Sequence, residues 1–389
     1  MSRLRRGAGL VAAGLTALLL LGGCRRPVES VRIAVALSPP TDIGAELAVR
    51  EVNAAGGVRG VPIELVGPSS LRHETPPIGP RELLELAQSF ADDERVLAVI
   101  GHSDSRSTLS ASAVYNQLGL PQLVTIATHP AITNIGEWTY RLCVSDAIQG
   151  PALARYAVTT WGKRKIAVIH VNDDYGRGLA ARFGEEVERL GGRIVATMLH
   201  GEPLDAEDRE LIRGELERLS RGDPPDLIAL FQRINEATWS VRAVRELGLD
   251  SALLGADNLG RPRFLADEPE LKEGMRISQF FLDDAEEARS FVRAYRDLTG
   301  ETPDYGDAYA YDAVYLLREA LERGGLSRAR VRAYLERTST EGRLLEGVAG
   351  SYILAPDHDA RRPIHLVEVR GGAFRPLAVL PTAGVEPVP

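Results

Sequence analysis

Residues 96–126 read VLAVIGHSDSRSTLSASAVYNQLGLPQLVTI. Val96 to Ile100 is a short unbroken apolar run, as in a strand buried on both faces, and Gln122 to Ile126 is another. Between them Ser107 to Gln117 has the spacing of a helix. Strand, helix and strand in succession are the unit from which parallel sheets are built. The alternation continues in both directions. Upstream, Val31 to Leu37 and Ile63 to Val66 read as strands. The helix Gly44 to Ala55 carries an apolar stripe of Leu47, Ala48, Val49 and Val52 and stops at Gly56-Gly57, a C-terminal cap signal. Pro80 to Asp92 is a helix expected to turn Leu83, Leu84, Leu86, Ala87 and Phe90 inward.

Downstream a second series begins after Arg141. Strands are expected at Ile166–Val171, Ile194–Leu199, Leu227–Leu230, Leu253–Gly255 and Met275–Phe281. Helices are expected at Gly150–Thr160, Gly178–Leu190, Ala206–Arg221, Glu236–Leu247, Ala285–Leu298, Asp307–Arg323 and Ser327–Arg337, with further strands at Ser351–Leu354 and Ile364–Val369. The expected fold class is α/β, two doubly wound parallel-sheet lobes. No Ser- or Pro-rich linker separates them, so the lobes should be joined by crossing segments and close as a hinge. Residues 28–144 with 279–348 form the expected lobe I, and 145–278 with 349–389 lobe II.

The chain has 389 residues, 54 acidic against 46 basic side chains and a net charge of −8, which gives no electrostatic footprint for nucleic acid. Residues 1–24 read as an export signal: Arg3, Arg5 and Arg6 precede an apolar run from Leu10 that ends in Leu21-Gly22-Gly23-Cys24. Small residues directly before a cysteine make a lipobox, and Cys24 is the expected acylated residue. The apolar core, roughly 12 to 15 residues, is shorter than the roughly 20 of a spanning helix. A lipid-anchored protein of the cell envelope follows, with Arg25 to Ser30 as its tether. The body of the chain then keeps one thiol, Cys143, flanked by Leu142 and Val144 and expected in the core; a disulfide framework within one chain is excluded.

Two catalytic motifs are nearly matched. Gly176-Arg177-Gly178-Leu179-Ala180-Ala181 fits the dinucleotide fingerprint, yet Asn172-Asp173-Asp174-Tyr175 separates it from its strand and brings two carboxylates that would repel a pyrophosphate. Gly101-His102-Ser103-Asp104-Ser105 approaches a nucleophile elbow but lacks the closing glycine. The seven histidines show no helical metal spacing. No cofactor, no metal and no catalysis are expected.

Read in order, several segments resemble the type I periplasmic binding proteins, specifically the leucine/isoleucine/valine-binding protein family that serves ABC transporters. They are Gly44 to Ala48, Asn53 to Gly57 with Gly60 and Pro62, Val99 to Ser112, Thr125 to Thr128 with Pro130 and Thr133, Asp146 with Gln149-Gly150, Asp174-Tyr175-Gly176 with Gly178, and Tyr309 to Tyr315. The resemblance implies an amino-acid-like ligand bound in an interlobe cleft and an ABC transporter permease as partner. Ser105 would receive the ligand's α-carboxylate, together with backbone N–H groups at a helix start. Ile126 would offer its carbonyl to the ammonium, Thr128 its hydroxyl and N–H to the same head group, Asp257 the ammonium-binding carboxylate, and Tyr175 an aromatic cover. For Ser105 and Thr128 ordinary helix capping is the competing role. Tyr305 and Tyr309 are candidates to line the cleft, and Tyr311 and Tyr315 a second i, i+4 pair, although aromatics at this spacing are more often core.

Two departures from the family bear on specificity. Ser38-Pro39-Pro40-Thr41-Asp42 leads almost directly into Gly44, shortening one wall. Arg233 stands where branched-chain binders place a tyrosine, so it should pair with Asp257 or Glu236, meet an acceptor on a polar, acidic or larger ligand, or else point out to solvent. A regulator or scaffold of the envelope with the same fold is the alternative from another class; it would not need Ser105, Thr128 and Asp257 to face one another.

Overall fold

The computed structural model describes residues 29–37, 41–67 and 79–382. The export signal, Cys24 and the Ser38-Pro39-Pro40 turn lie outside the described residues. The first series is β1 (Val31–Ala36), α1 (Ile43–Ala54), β2 (Ile63–Val66), α2 (Pro80–Asp92), β3 (Val96–Gly101), α3 (Ser105–Leu118), β4 (Gln122–Val124) and β5 (Thr139–Arg141). Its strands form one parallel sheet in the order β2-β1-β3-β4-β5. β3 is buried along its whole length, which is why its sequence lacks alternation. On α2 the buried stripe is Leu83, Ala87 and Phe90, spaced i, i+4, i+7, whereas Leu84 lies beside it and is 44% exposed, contrary to expectation.

The second series comprises α4 (Asp146–Arg155), β6 (Lys165–Val171), α5 (Asp174–Arg189), β7 (Arg193–His200), α6 (Ala206–Arg221), β8 (Leu227–Phe231), α7 (Ile234–Glu246), β9 (Ala252–Gly255) and β10 (Arg276–Gln279). The chain then returns to the first lobe as α8 (Arg289–Thr299), α9 (Tyr305–Arg323) and α10 (Arg328–Glu341). It finishes with β11 (Leu344–Leu345), β12 (Tyr352–Leu354), β13 (Ala360–Arg361), β14 (Ile364–Arg370) and β15 (Ala373–Leu380). The second sheet runs β15-β14-β10-β9-β8-β6-β7, parallel except for β14 and β15, and β11-β12-β13 form a small third sheet. The expectation of two α/β lobes holds. α9 lies so close along α1 that a Cβ on Gly44 would stand 1.9 Å from the Asp307 carbonyl oxygen, so only glycine fits there.

The chain passes between the lobes in the segments that follow β5, follow β10 and precede β14. One buried guanidinium ties them: Arg362 donates to Leu142 O (2.8 Å) and Ala349 O (3.1 Å), lies 3.4 Å from Asp312 of α9, and sits over the rings of Tyr352 and Tyr309. Arg141, also fully buried, holds Asp359 (2.8 Å) and His129 O (2.8 Å). Cys143 is buried in the same crossing. Among the described residues no helix is long and apolar enough to cross a membrane.

Candidate functional site

The parallel strands of both lobes deliver their C-terminal ends to one interlobe cleft. β3 leads to Ser105 at the first position of α3, and β4 leads to Ile126 and Thr128. From the other lobe β6 leads to Tyr175 in the first turn of α5, β8 to Arg233 before α7, and β9 to Asp257. The helix starts face each other, with Arg106 Nε 3.9 Å from Asp174. Capping belongs to neighbouring aspartates, not to Ser105: Asp104 accepts from Ser107 N (2.9 Å) on α3 and Asp173 from Gly176 N (2.8 Å) on α5. The Asp173 cap and the close packing of Gly176, where a Cβ would meet Val171 O at 2.0 Å, fill the position a pyrophosphate would need. His102 bonds the Tyr115 hydroxyl (3.0 Å) in the core, so it does not serve Ser103 as a base.

Asp257 is the centre of a buried polar cluster. Its Oδ1 accepts from Gln149 Nε2 (2.9 Å) and the Tyr175 hydroxyl (3.1 Å), and its Oδ2 accepts from the Tyr305 hydroxyl (3.1 Å). Donors from both lobes thus converge on one carboxylate, since Tyr305 opens α9. Burial drives the Asp257 carboxyl above the usual range despite these bonds. Thr128 bridges the lobes differently from a cap: its hydroxyl donates to Asp146 Oδ2 (2.9 Å), and its carbonyl accepts from Asp146 N (2.9 Å). Asp146 is driven up strongly, first by burial and then by the charge of Asp257; its Oδ1 and Gln149 Oε1 have no partner among the described residues.

Ser105, Thr128, Tyr175 and Asp257 are each no more than 4% exposed, and none of the four lines the neighbouring cavity. That cavity, of about 1480 Å³, has a wall that includes Ile126, Arg233, Arg261 and Asp304. The expected partners of Arg233 are corrected here. It pairs with neither Asp257 nor Glu236; its Nη2 reaches Asp173 (2.7 Å), its Nε lies 3.2 Å from both oxygens of Glu202, and its guanidinium sits 5.7 Å from the Tyr175 ring centre. Both acids follow parallel strands, as Arg233 does, which brings them to the same edge. Tyr305 joins the site, whereas Tyr309 bonds Phe280 O, and Tyr311 and Tyr315 both bond Glu51 of α1.

In the sequence Gln149 enters only as a carrier of the family resemblance, without a site role, and nothing singles out Arg261. Gln149 follows Asp146 by three residues on α4, so the two share a helix face, and that spacing was the available signal. Arg261 lies in irregular chain after Asp257, where no periodicity points to it; its Nη2 donates to the Tyr305 hydroxyl (2.9 Å). No group of three or more His, Cys, Asp or Glu among the described residues is arranged to hold a metal ion.

Residues 33–373 match the family described as periplasmic binding protein. The chain is 27% identical over 321 residues to the Leu/Ile/Val-binding protein homolog 1 of Brucella abortus (strain 2308), covering 80% of this chain and 82% of that one. It is 25% identical over 285 residues to the leucine-, isoleucine-, valine-, threonine-, and alanine-binding protein of Pseudomonas aeruginosa, covering 72% and 73%. Among solved structures it is similar to the branched-chain amino acid transporter substrate binding protein LivJ of Streptococcus pneumoniae in complex with isoleucine. That likeness has a TM-score of 0.78 and 25% identity, and covers 90% of this chain and 99% of the other.

Proposed function

This chain belongs to the periplasmic binding protein family, and from that premise we propose that it captures a small amino acid or related zwitterion in the interlobe cleft and delivers it to an ABC transporter. The family is one of substrate-binding proteins, which work outside the cytoplasm and are not enzymes. The observation that carries the proposal is Asp257, a buried carboxylate held by Gln149 and Tyr175 of one lobe and Tyr305 of the other. Two unit charges about 4 Å apart attract by roughly 4 kcal/mol at an effective dielectric near 20, enough to select an ammonium once the cleft excludes water.

In this proposal Ser105 and the start of α3 receive the α-carboxylate, a position favoured by the helix dipole. Thr128 and the Ile126 carbonyl complete the head-group contacts, and Tyr175 covers the ligand. Residues 28–144 with 279–348, and 145–278 with 349–389, are the bodies that close on it. Cys24 carries the lipid anchor; Cys24→Ala then leaves an unprocessed precursor that a fatty-acid probe no longer labels.

Calorimetric titration of the purified protein with an amino-acid panel tests the main proposal, with the fluorescence of Trp138, Trp161 and Trp239 as a second signal. Ser105→Ala is expected to weaken the best ligand by about 1–3 kcal/mol while the protein stays folded. Absence of binding to any amino acid, or full affinity in the Ser105 variant, removes the head-group assignment.

A further inference from the structure

We propose that Arg261 makes this cleft selective for an amino acid whose side chain ends in a carboxylate, an inference that rests on the amino-acid-binding function above. Four arginines reach the cavity wall: Arg106, Arg233, Arg261 and Arg263. Arg233 is committed to Asp173 and Glu202. Arg106 stands at the rim with its side chain 67% exposed, and Arg263 is exposed. Arg261 differs from all three. Its side chain is 20% exposed, its guanidinium lies 4.7 Å from the Tyr305 ring centre, and its Nη1 is 3.4 Å from Asp304.

A guanidinium carries five N–H donors. The Tyr305 hydroxyl and Asp304 engage two of them, and Nε has no partner among the described residues. Asp304 is itself shared, because its Oδ1 caps α9 by accepting from Gly306 N (2.7 Å). Of the other wall acids, Asp104 and Asp173 cap their helices, Glu202 holds Arg233, Glu301 is exposed, and Asp307 accepts from Asp304 N (3.1 Å) through Oδ2 while its Oδ1 has no partner among the described residues. An aliphatic side chain packed here would desolvate Arg261 and give it no acceptor. A carboxylate offers it a two-pronged partner.

The placement also fits a short molecule. The Tyr305 hydroxyl donates to Asp257 and accepts from Arg261, so the ammonium-binding carboxylate and this guanidinium stand one hydroxyl apart.

The test is calorimetric titration with glutamate, aspartate, glutamine and leucine. Glutamate or aspartate is expected to bind at least about 10-fold more tightly than leucine, and Arg261→Met to weaken that dicarboxylate by about 10- to 100-fold while leucine changes by less than about 3-fold. Arg261→Lys keeps the charge without the fork and should fall between. Thermal melts report whether the variants fold; if Arg261→Met does not, the wild-type panel and the Lys variant decide. Leucine or glutamine binding as tightly as the dicarboxylates, or wild-type glutamate affinity in Arg261→Met, overturns the inference and leaves amino-acid binding intact. No binding to any amino acid overturns both.

Discussion

Replacing Asp257 by asparagine should weaken ligand binding and stabilise the empty protein at the same time. The carboxylate is 2% exposed and accepts from Gln149, Tyr175 and Tyr305 at 2.9–3.1 Å. Asparagine keeps most of this geometry: its oxygen takes the Gln149 and Tyr175 bonds, and its amide donates to the Tyr305 hydroxyl, whose own proton must turn away from it. What disappears is the charge. A hydrogen bond to a charged group is worth about 1.5–3 kcal/mol, so affinity should fall by roughly 10- to 150-fold. Stability moves the other way because burial raises the folded carboxyl above its unfolded value. A raised group favours the folded state most at low pH and loses that contribution as pH rises through its folded value, so at neutral pH the ionised form is a liability that asparagine removes. Asp257→Ala behaves differently, since it leaves three buried donors without an acceptor at about 1–3 kcal/mol for each that stays unsatisfied. Scanning calorimetry at pH 7 together with titration separates the two variants. The reasoning fails if Asp257→Asn binds within twofold of wild type, or melts below it.

Three further outcomes follow from the packing. Burial pushes His102 down to about 4, so between its ordinary value near 6.5 and that point the unfolded chain binds the extra proton; stability should be level above about pH 6.5 and drop by roughly 3 kcal/mol by pH 4. Urea unfolding across this window should lose most of that slope in His102→Gln, and an unchanged slope assigns it elsewhere. Gly44→Ala places a Cβ 1.9 Å from Asp307 O and should cost on the order of 3 kcal/mol in denaturant unfolding; a loss under about 0.5 kcal/mol would mean that α1 and α9 separate easily. Arg362→Met strands the Asp312 carboxylate in the crossing segments and should cost about 3–5 kcal/mol, part of it recovered by adding Asp312→Asn, whereas additive losses in the double variant would show that the two act separately.

The strands and helices were legible because strands buried on both faces read as short apolar runs, and the helices between them carry one apolar stripe. The helix starts were less so. α5 begins at Asp174 rather than Gly178, and α4 at Asp146 rather than Gly150, because these starts are fixed by the caps of Asp173 and Ser145, whose bonds leave no apolar periodicity. The same blindness hid part of the site. Asp257, Thr128 and Tyr175 came from resemblance, and their meeting depends on two sheets facing each other, a relation that no local pattern carries. Arg233 illustrates the limit: its position at a strand end was correct, but its partners Asp173 and Glu202 lie 60 and 31 residues away in sequence. Residue type located the charge, and only the fold could say which acids meet it.

The buried cluster around Asp257 and the contact between the lobes rest on the same side chains. Tyr305 and Asp304 come with α9 from the first lobe, and Asp257 and Arg261 come with the chain after β9 from the second. Any parting of the lobes must break the Tyr305–Asp257 bond, stretch Arg261 from Asp304, and separate Thr128 from Asp146. Each break exposes a charged or polar group to water, which rehydrates it and makes opening cheaper than the count of contacts suggests. Reclosing must strip that water away again. On the reading proposed above, a ligand bearing an ammonium and a side-chain carboxylate offsets the desolvation by giving Asp257 a cation, and Arg261 an anion, at the moment both leave solvent. An uncharged ligand of equal size offers neither. On that reading, selectivity for the ammonium and the side-chain carboxylate is coupled to preference for the closed form through the same four residues, while Arg141 and Arg362 hold the crossing segments together.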